Sequence, residues 1–224
     1  VLEELVTDIY PDAIIEWDDS TSGQHLGRSV VAEDDRFGFL DDLVKSVGKI
    51  WYWDHRGVLV VKSPPDTRTP LFDVTSGEGG VLVTLSRNLS RRGVINGVVA
   101  TGEAGDTSTP ARALVVDTNP QSPTRWGGPF GKVPQFFSSP LVTSNVQAAS
   151  AAAGILKASI GVPYNVDLGA VPNPALEPLD PVRVTEPGII RTHVIERLTM
   201  PLTPEDTMQA SMREQTFVTV GSVL

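Results

Sequence analysis

The chain has 224 residues, 40% of them hydrophobic and 20% charged, the profile of a globular protein with a sizeable core and not of a disordered or membrane-inserted chain. Its net charge is −9 and its only tight basic pair is Arg91-Arg92, with Arg87 nearby, so direct nucleic-acid binding by phosphate neutralisation is not expected. Cysteine is absent, which excludes disulfides, thiolate metal sites, iron–sulfur clusters and a cysteine nucleophile within these residues.

The first pattern is LEELVTDI at 2–9, where Leu2, Leu5, Val6 and Ile9 share one face and Pro11 ends the run, predicting a short amphipathic helix. Residues 16–29 (EWDDSTSGQHLGRS) are polar and read as loop, preceded by at most one short strand. Asp34 or Asp35 can cap a helix whose apolar positions are Phe37, Leu40, Leu43, Val44 and Val47, with Gly48 as its stop. KIWYW at 49–53, the turn Asp54-His55-Arg56-Gly57 and VLVVK at 58–62 then read as a hairpin, and Pro64-Pro65 closes it. Residues 1–65 are therefore expected to form a small α+β module. The longest apolar runs, such as Val58 to Val61, fall far short of the roughly 20 residues of a membrane helix, so no membrane insertion is expected.

From Pro70 onward short strands and turn residues dominate. Strands are predicted at 81–86, 94–101 and 111–117. Residues 118–140 carry five prolines, a glycine pair, Trp126 and Phe136-Phe137, and read as a loop too long for an ordinary connector. Thr143 or Ser144 can cap an alanine-rich helix near 144–159 that stops at Gly161. Further strands are predicted near 163–168, 181–185, 189–199 and 207–219. The expected fold class is α+β: a helix-plus-hairpin module, then a mainly antiparallel, barrel-like β domain over 66–224 with one long helix.

Little in the sequence points to chemistry. His25, His55 and His193 stand far apart, so no paired metal-ligand motif exists. The acidic clusters Glu16-Trp17-Asp18-Asp19 and Glu33-Asp34-Asp35 lack the alternating spacing of a calcium loop and read as a solvated loop and a helix N-terminus. Gly127-Gly128-Pro129-Phe130-Gly131-Lys132 misses the phosphate-loop spacing, and Pro129 removes a backbone donor. No catalytic residue, cofactor or metal is expected, and the chain is not expected to be an enzyme. Trp51 and Trp53 share a face if 49–53 is a strand, with burial against the 36–47 helix as their expected fate. A carbohydrate-binding β module stacking sugars on Trp17, Trp51 or Trp53 is an alternative, and a cell-wall-acting hydrolase module is another. Trp126, Phe130, Phe136 and Phe137 either tuck back as anchors or form a subunit contact.

The run Ser90-Arg91-Arg92-Gly93-Val94-Ile95-Asn96-Gly97-Val98-Val99-Ala100-Thr101-Gly102-Glu103 resembles a strand of bacteriophage baseplate-hub and tail-tip (minor tail) proteins. There, a serine and arginine stretch leads into an Asn-x-Val-Val-x-x-Gly core. The order of the flanking parts is similar too: helix and hairpin upstream, then the 144–159 helix and Asn173-Pro174-Ala175-Leu176-Glu177-Pro178-Leu179-Asp180-Pro181-Val182-Arg183-Val184 downstream. That last run departs from the family's segment at Leu179, where a glycine is common. The resemblance spans about 30–200 and is strongest to versions in actinobacterial phages and prophages. It implies a structural component of a phage tail or tail-like injection device, self-associating as a ring, often a trimer, between tail tube and spike. It further implies location in the virion tail, assembly in the host bacterial cytoplasm, and a first barrel domain preceding Val1. On this reading Asn96 bonds backbone at a strand irregularity, Arg91 and Arg92 approach a neighbouring chain or a carboxylate, and Trp126, Phe130, Phe136 and Phe137 are candidates for the same subunit interface.

Overall fold

The computed structural model describes residues 1–18, 35–66, 68–89, 93–102, 109–160, 164–203, 205–214 and 220–222. Helix α1 covers Leu2–Thr7 and buries Leu2 and Val6; it ends before Ile9, which the periodicity placed on the buried face but which is 53% exposed. Strand β1 (Ile15–Trp17) follows, then helix α2 (Arg36–Ser46). Asp35 caps α2 by accepting a 2.8 Å hydrogen bond from the Gly38 N–H. Gly48 stops it with φ +76°, in the left-handed region that a side chain disfavours. The hairpin forms as expected from β2 (Ile50–Trp53) and β3 (Leu59–Lys62), and β1 adds to β3 in parallel. Leu2, Val6, Leu43, Val44, Leu59 and Val61 fill the space between helices and sheet, joined by Leu141 from far along the chain.

A six-stranded sheet comes next, in the order β4-β10-β11-β12-β9-β5. Its strands are β4 (Phe72–Thr75), β5 (Leu82–Leu89), β9 (Tyr164–Ala170), β10 (Pro181–Glu186), β11 (Ile189–Thr199) and β12 (Met208–Glu214). All neighbours are antiparallel except β4 with β10. Four strand spacings separate β5 from β10, about 19 Å if the sheet were flat. Yet Arg87 of β5 reaches Glu186 of β10 at 2.6 Å. The sheet therefore curls into a half-barrel, with Val74, Val166, Leu168, Val182, Val184, Ile195, Met208 and Met212 among the residues inside. Leu179, in the turn before β10, is the one non-glycine residue with positive φ among those described, at φ 76°, at the position where the resembling segment has glycine.

The third sheet runs β13-β7-β6-β8: β6 is Gly97–Thr101, β7 Arg112–Asp117, β8 Pro134–Ser138 and β13 Val220–Ser222. Helix α3 (Asn145–Ser159), capped by Ser144, covers one face. Val98, Ala100, Ala113 and Val115 meet Ala148, Ala151, Ala152, Ile155 and Leu156 there. The α+β, barrel-like class thus holds. Strands β4, β8 and β13 were not anticipated, and the stretch 118–140 is not all loop, since β8 lies inside it in parallel with β6.

Candidate assembly face

Residues 118–133 are ordered by internal hydrogen bonds. Asn96 sits just before β6, wholly buried, and spends all four polar groups on backbone. Its amide N–H donates to the Gly131 carbonyl at 2.8 Å, and its side-chain carbonyl accepts from the Val133 N–H at 2.8 Å. Its own N–H donates to the Val133 carbonyl at 3.1 Å, and its carbonyl accepts from the Asp117 N–H at 3.0 Å. The expectation that this amide bonds backbone at an irregularity describes its geometry, and burial keeps its polar atoms off the surface. Buried Asp117 organises the turn after β7: Oδ1 accepts from the Asn119 N–H at 3.0 Å and Oδ2 from the Thr124 hydroxyl at 3.2 Å.

Trp126 lies over Gly97, where an added Cβ would fall 2.4 Å from the indole ring. Only glycine leaves room for the ring at that point. The Lys132 ammonium stands 5.9 Å from the Trp126 ring centroid, a cation–π contact. Strand alternation then separates the adjacent phenylalanines. Phe137 points to the α3 side and packs on that core, whereas Phe136 points away and is 75% exposed. Phe130 is half-buried. Arg91 and Arg92 lie outside the described residues.

The face of this sheet opposite α3 can be read from the register. Leu114, Val99 and Phe136 are cross-strand partners and form one apolar row across β7, β6 and β8. On one side of it runs the row Arg112–Thr101–Ser138, and on the other the row Val116–Gly97–Pro134, with Trp126 over Gly97 and Lys132 over the Trp126 ring. Arg112 and Lys132 are exposed and make no ion pair among the described residues, and none of the side chains in these rows is acidic. The result is an apolar stripe with a cationic border on a chain of net charge −9.

The other sites read from sequence are of a different kind. His25 and the pair Glu33-Asp34 lie outside the described residues; no group of metal-ligating side chains exists among those described. His55 is exposed in its turn and pairs with Glu177. His193 is wholly buried on the concave face of the half-barrel, and neither ring nitrogen makes a well-formed hydrogen bond, the Arg191 backbone offering only a weak one. Burial, then the nearby Arg87 charge, lowers its pKa to about 4. Around it are the Arg87–Glu186 pair and the Arg191–Glu214 pair at 2.7 Å. Trp51 donates to Asp41 at 3.3 Å and packs on Phe37 of α2, as expected. Trp53, expected beside it under the helix, instead remains 44% exposed and meets Tyr10 edge-on at 6.1 Å. These two rings, with Ile9, Asp12 and Gly57, line an open cleft of about 570 Å³.

No helix among the described residues is long and apolar enough to cross a membrane. No family model matches the sequence, and no curated protein matches it. Solved structures do share its fold. A tail protein from Neisseria meningitidis MC58 superposes with a TM-score of 0.61 at 11% identity, covering 97% of this chain and 66% of that one. The 43 kDa tail protein of prophage MuSo2 from Shewanella oneidensis gives 0.60 at 14% identity, covering 95% and 65%. Prophage tail protein gp18 from Listeria monocytogenes EGD-e gives 0.54 at 16% identity, covering 96% and 65%. The chain thus has a fold found in phage tail proteins and spans about two thirds of the length of those it matches.

Proposed function

We propose that this chain is a non-enzymatic structural component of a phage tail or tail-like injection device, a baseplate hub or tail-tip part that works by assembling with itself and with tube and spike proteins. The observation that carries the reading is the fold itself, shared over nearly the whole chain with three separate tail proteins. The residue runs at 90–103 and 173–184 support placing it near the hub and tail-tip versions of actinobacterial phages and prophages. The positive φ of Leu179 adds to this, because the backbone keeps a turn suited to the glycine common at that position. On this reading the protein resides in the virion tail and is put together in the host bacterial cytoplasm. Residues 1–65 act as a small module beside the 66–224 barrel-like domain. The subunit contact draws on Phe136, Trp126 and Phe130, with Arg91 and Arg92 as further contributors, while Asn96 and Phe137 hold that surface in shape from within.

The test is the mass of the chain in solution by light scattering over a concentration series. A trimer or larger closed ring that grows with concentration is the expected result. A chain that stays monomeric across the whole series overturns self-assembly.

A further inference from the structure

Two exposed apolar surfaces lie on different elements and carry opposite charge. The first is exposed Phe136 in a row with half-buried Val99 and Leu114, bordered by Arg112 and Lys132. The second is the Tyr10–Trp53 cleft, where Tyr10 is 62% exposed and the carboxylate of Asp12 lines the wall. Asp12 makes no ion pair among the described residues, and its charge is opposite in sign to those of Arg112 and Lys132, which make none there either. Phe136 is an exposed phenyl ring, and the cleft is open, aromatic-walled and large enough to take one. Buried aromatic anchors seated in such pockets dominate association energies, while flanking charges fix orientation and partner.

We propose that the occupant of the cleft is a second copy of this chain, which packs Phe136 into the cleft against the Tyr10–Trp53 pair and sets Arg112 and Lys132 against Asp12. The contact joins two different surfaces, so it is head-to-tail. Each added copy presents a fresh cleft and a fresh Phe136, and the series ends only where rotation closes a ring. This inference rests on the self-assembly reading above and specifies the surfaces it uses.

The test uses two variants of the full chain, Phe136→Asp and Tyr10→Lys, each checked for native circular dichroism. Both positions are largely exposed, so both variants are expected to fold. Each should weaken self-association roughly 30-fold or more, the loss typical of a removed anchor. Mixing the two should then restore association, but only to a one-to-one dimer. The intact cleft of Phe136→Asp accepts the intact Phe136 of Tyr10→Lys, and the remaining surfaces on both are spoiled. A wild-type chain that assembles while both variants assemble equally well overturns this inference and leaves self-assembly standing. Variants that each dissociate but give no dimer on mixing overturn the head-to-tail arrangement. A wild-type chain that is monomeric throughout removes the self-assembly reading and this inference together.

Discussion

His193 shows how one side chain can make a fold sensitive to pH. Its imidazole is buried without a well-formed hydrogen bond among Arg87 on β5, Glu186 on β10, Arg191 on β11 and Glu214 on β12. Burial and the arginine charges favour the neutral ring, with a folded pKa of about 4 against an ordinary 6.5. As pH falls from about 6.5 towards 4, the unfolded chain takes up a proton that the folded chain refuses. The stability present above that window is lost within it, on the order of 3 kcal/mol, and changes no further below it. Asp42 and Asp180, whose pKa values burial raises, contribute with the opposite sign at acid pH. The informative quantity is therefore the difference between wild type and His193→Leu. Urea midpoints from pH 4 to 7.5 should fall more steeply for the wild type, and parallel curves would show that His193 does not titrate this way. Leu179 offers a second test at the same scale. With φ at 76° it bears about 1 kcal/mol of left-handed strain that glycine would not. Leu179→Gly should accordingly be more stable than Leu179→Ala by about 1 kcal/mol, the reverse of the usual order; equal melting temperatures would refute the strain.

Elements were legible in proportion to the local signals that mark them. Helix α2 announces itself by a capping aspartate, a periodic apolar face and a stopping glycine; α3 has its capping serine and alanine run. The hairpin β2–β3 is written as two apolar runs around Asp54-His55-Arg56-Gly57, and Asp54 does organise that turn by accepting from the Arg56 and Val58 N–H groups. Strand β8 carried no such mark. PQFFS begins with proline, sits on a sheet edge and lies within a proline-rich stretch, and only its parallel pairing with β6 makes it a strand. Without β8, nothing in the sequence could assign Phe136 to solvent and Phe137 to the core, so the apolar row stayed hidden while its residues were named. Long-range placement also hides the role of Gly154 in α3. A Cβ there would fall within 2.4–2.5 Å of the carbonyl oxygen, carbonyl carbon and Cα of Gly48. In most helix interiors Gly→Ala stabilises by about 1 kcal/mol. Here Gly154→Ala should destabilise by about 1–3 kcal/mol, because backbone cannot yield as a flexible side chain can. Thermal melts give the sign directly, and a rise in Tm would mean that α2 and α3 are not in the close contact described.

At the scale of the whole molecule the described residues bury three separate clusters: one under α1 and α2, one inside the half-barrel, and one beneath α3. The first is the core of the module proposed for 1–65, yet it draws on a residue outside that span. Leu141, 3% exposed and placed just before α3, completes it from outside, and the Gly48–Gly154 approach fastens α2 to α3. These contacts tie α2 and the β2–β3 hairpin to the helix that backs the candidate assembly face. The division can be tested energetically with Leu141→Ala, which removes the outside contribution and leaves a cavity costing about 2–5 kcal/mol. If the clusters are energetically distinct, amide exchange should speed up in α2, β2 and β3 by roughly 30-fold or more. Exchange in β10, β11 and β12, whose core Leu141 does not touch, should stay within a few-fold of wild type. Uniform acceleration across all three sheets would mean that the chain opens only as one unit. The module would then be part of a single cooperative domain, and a force applied at the assembly face would reach every cluster at once.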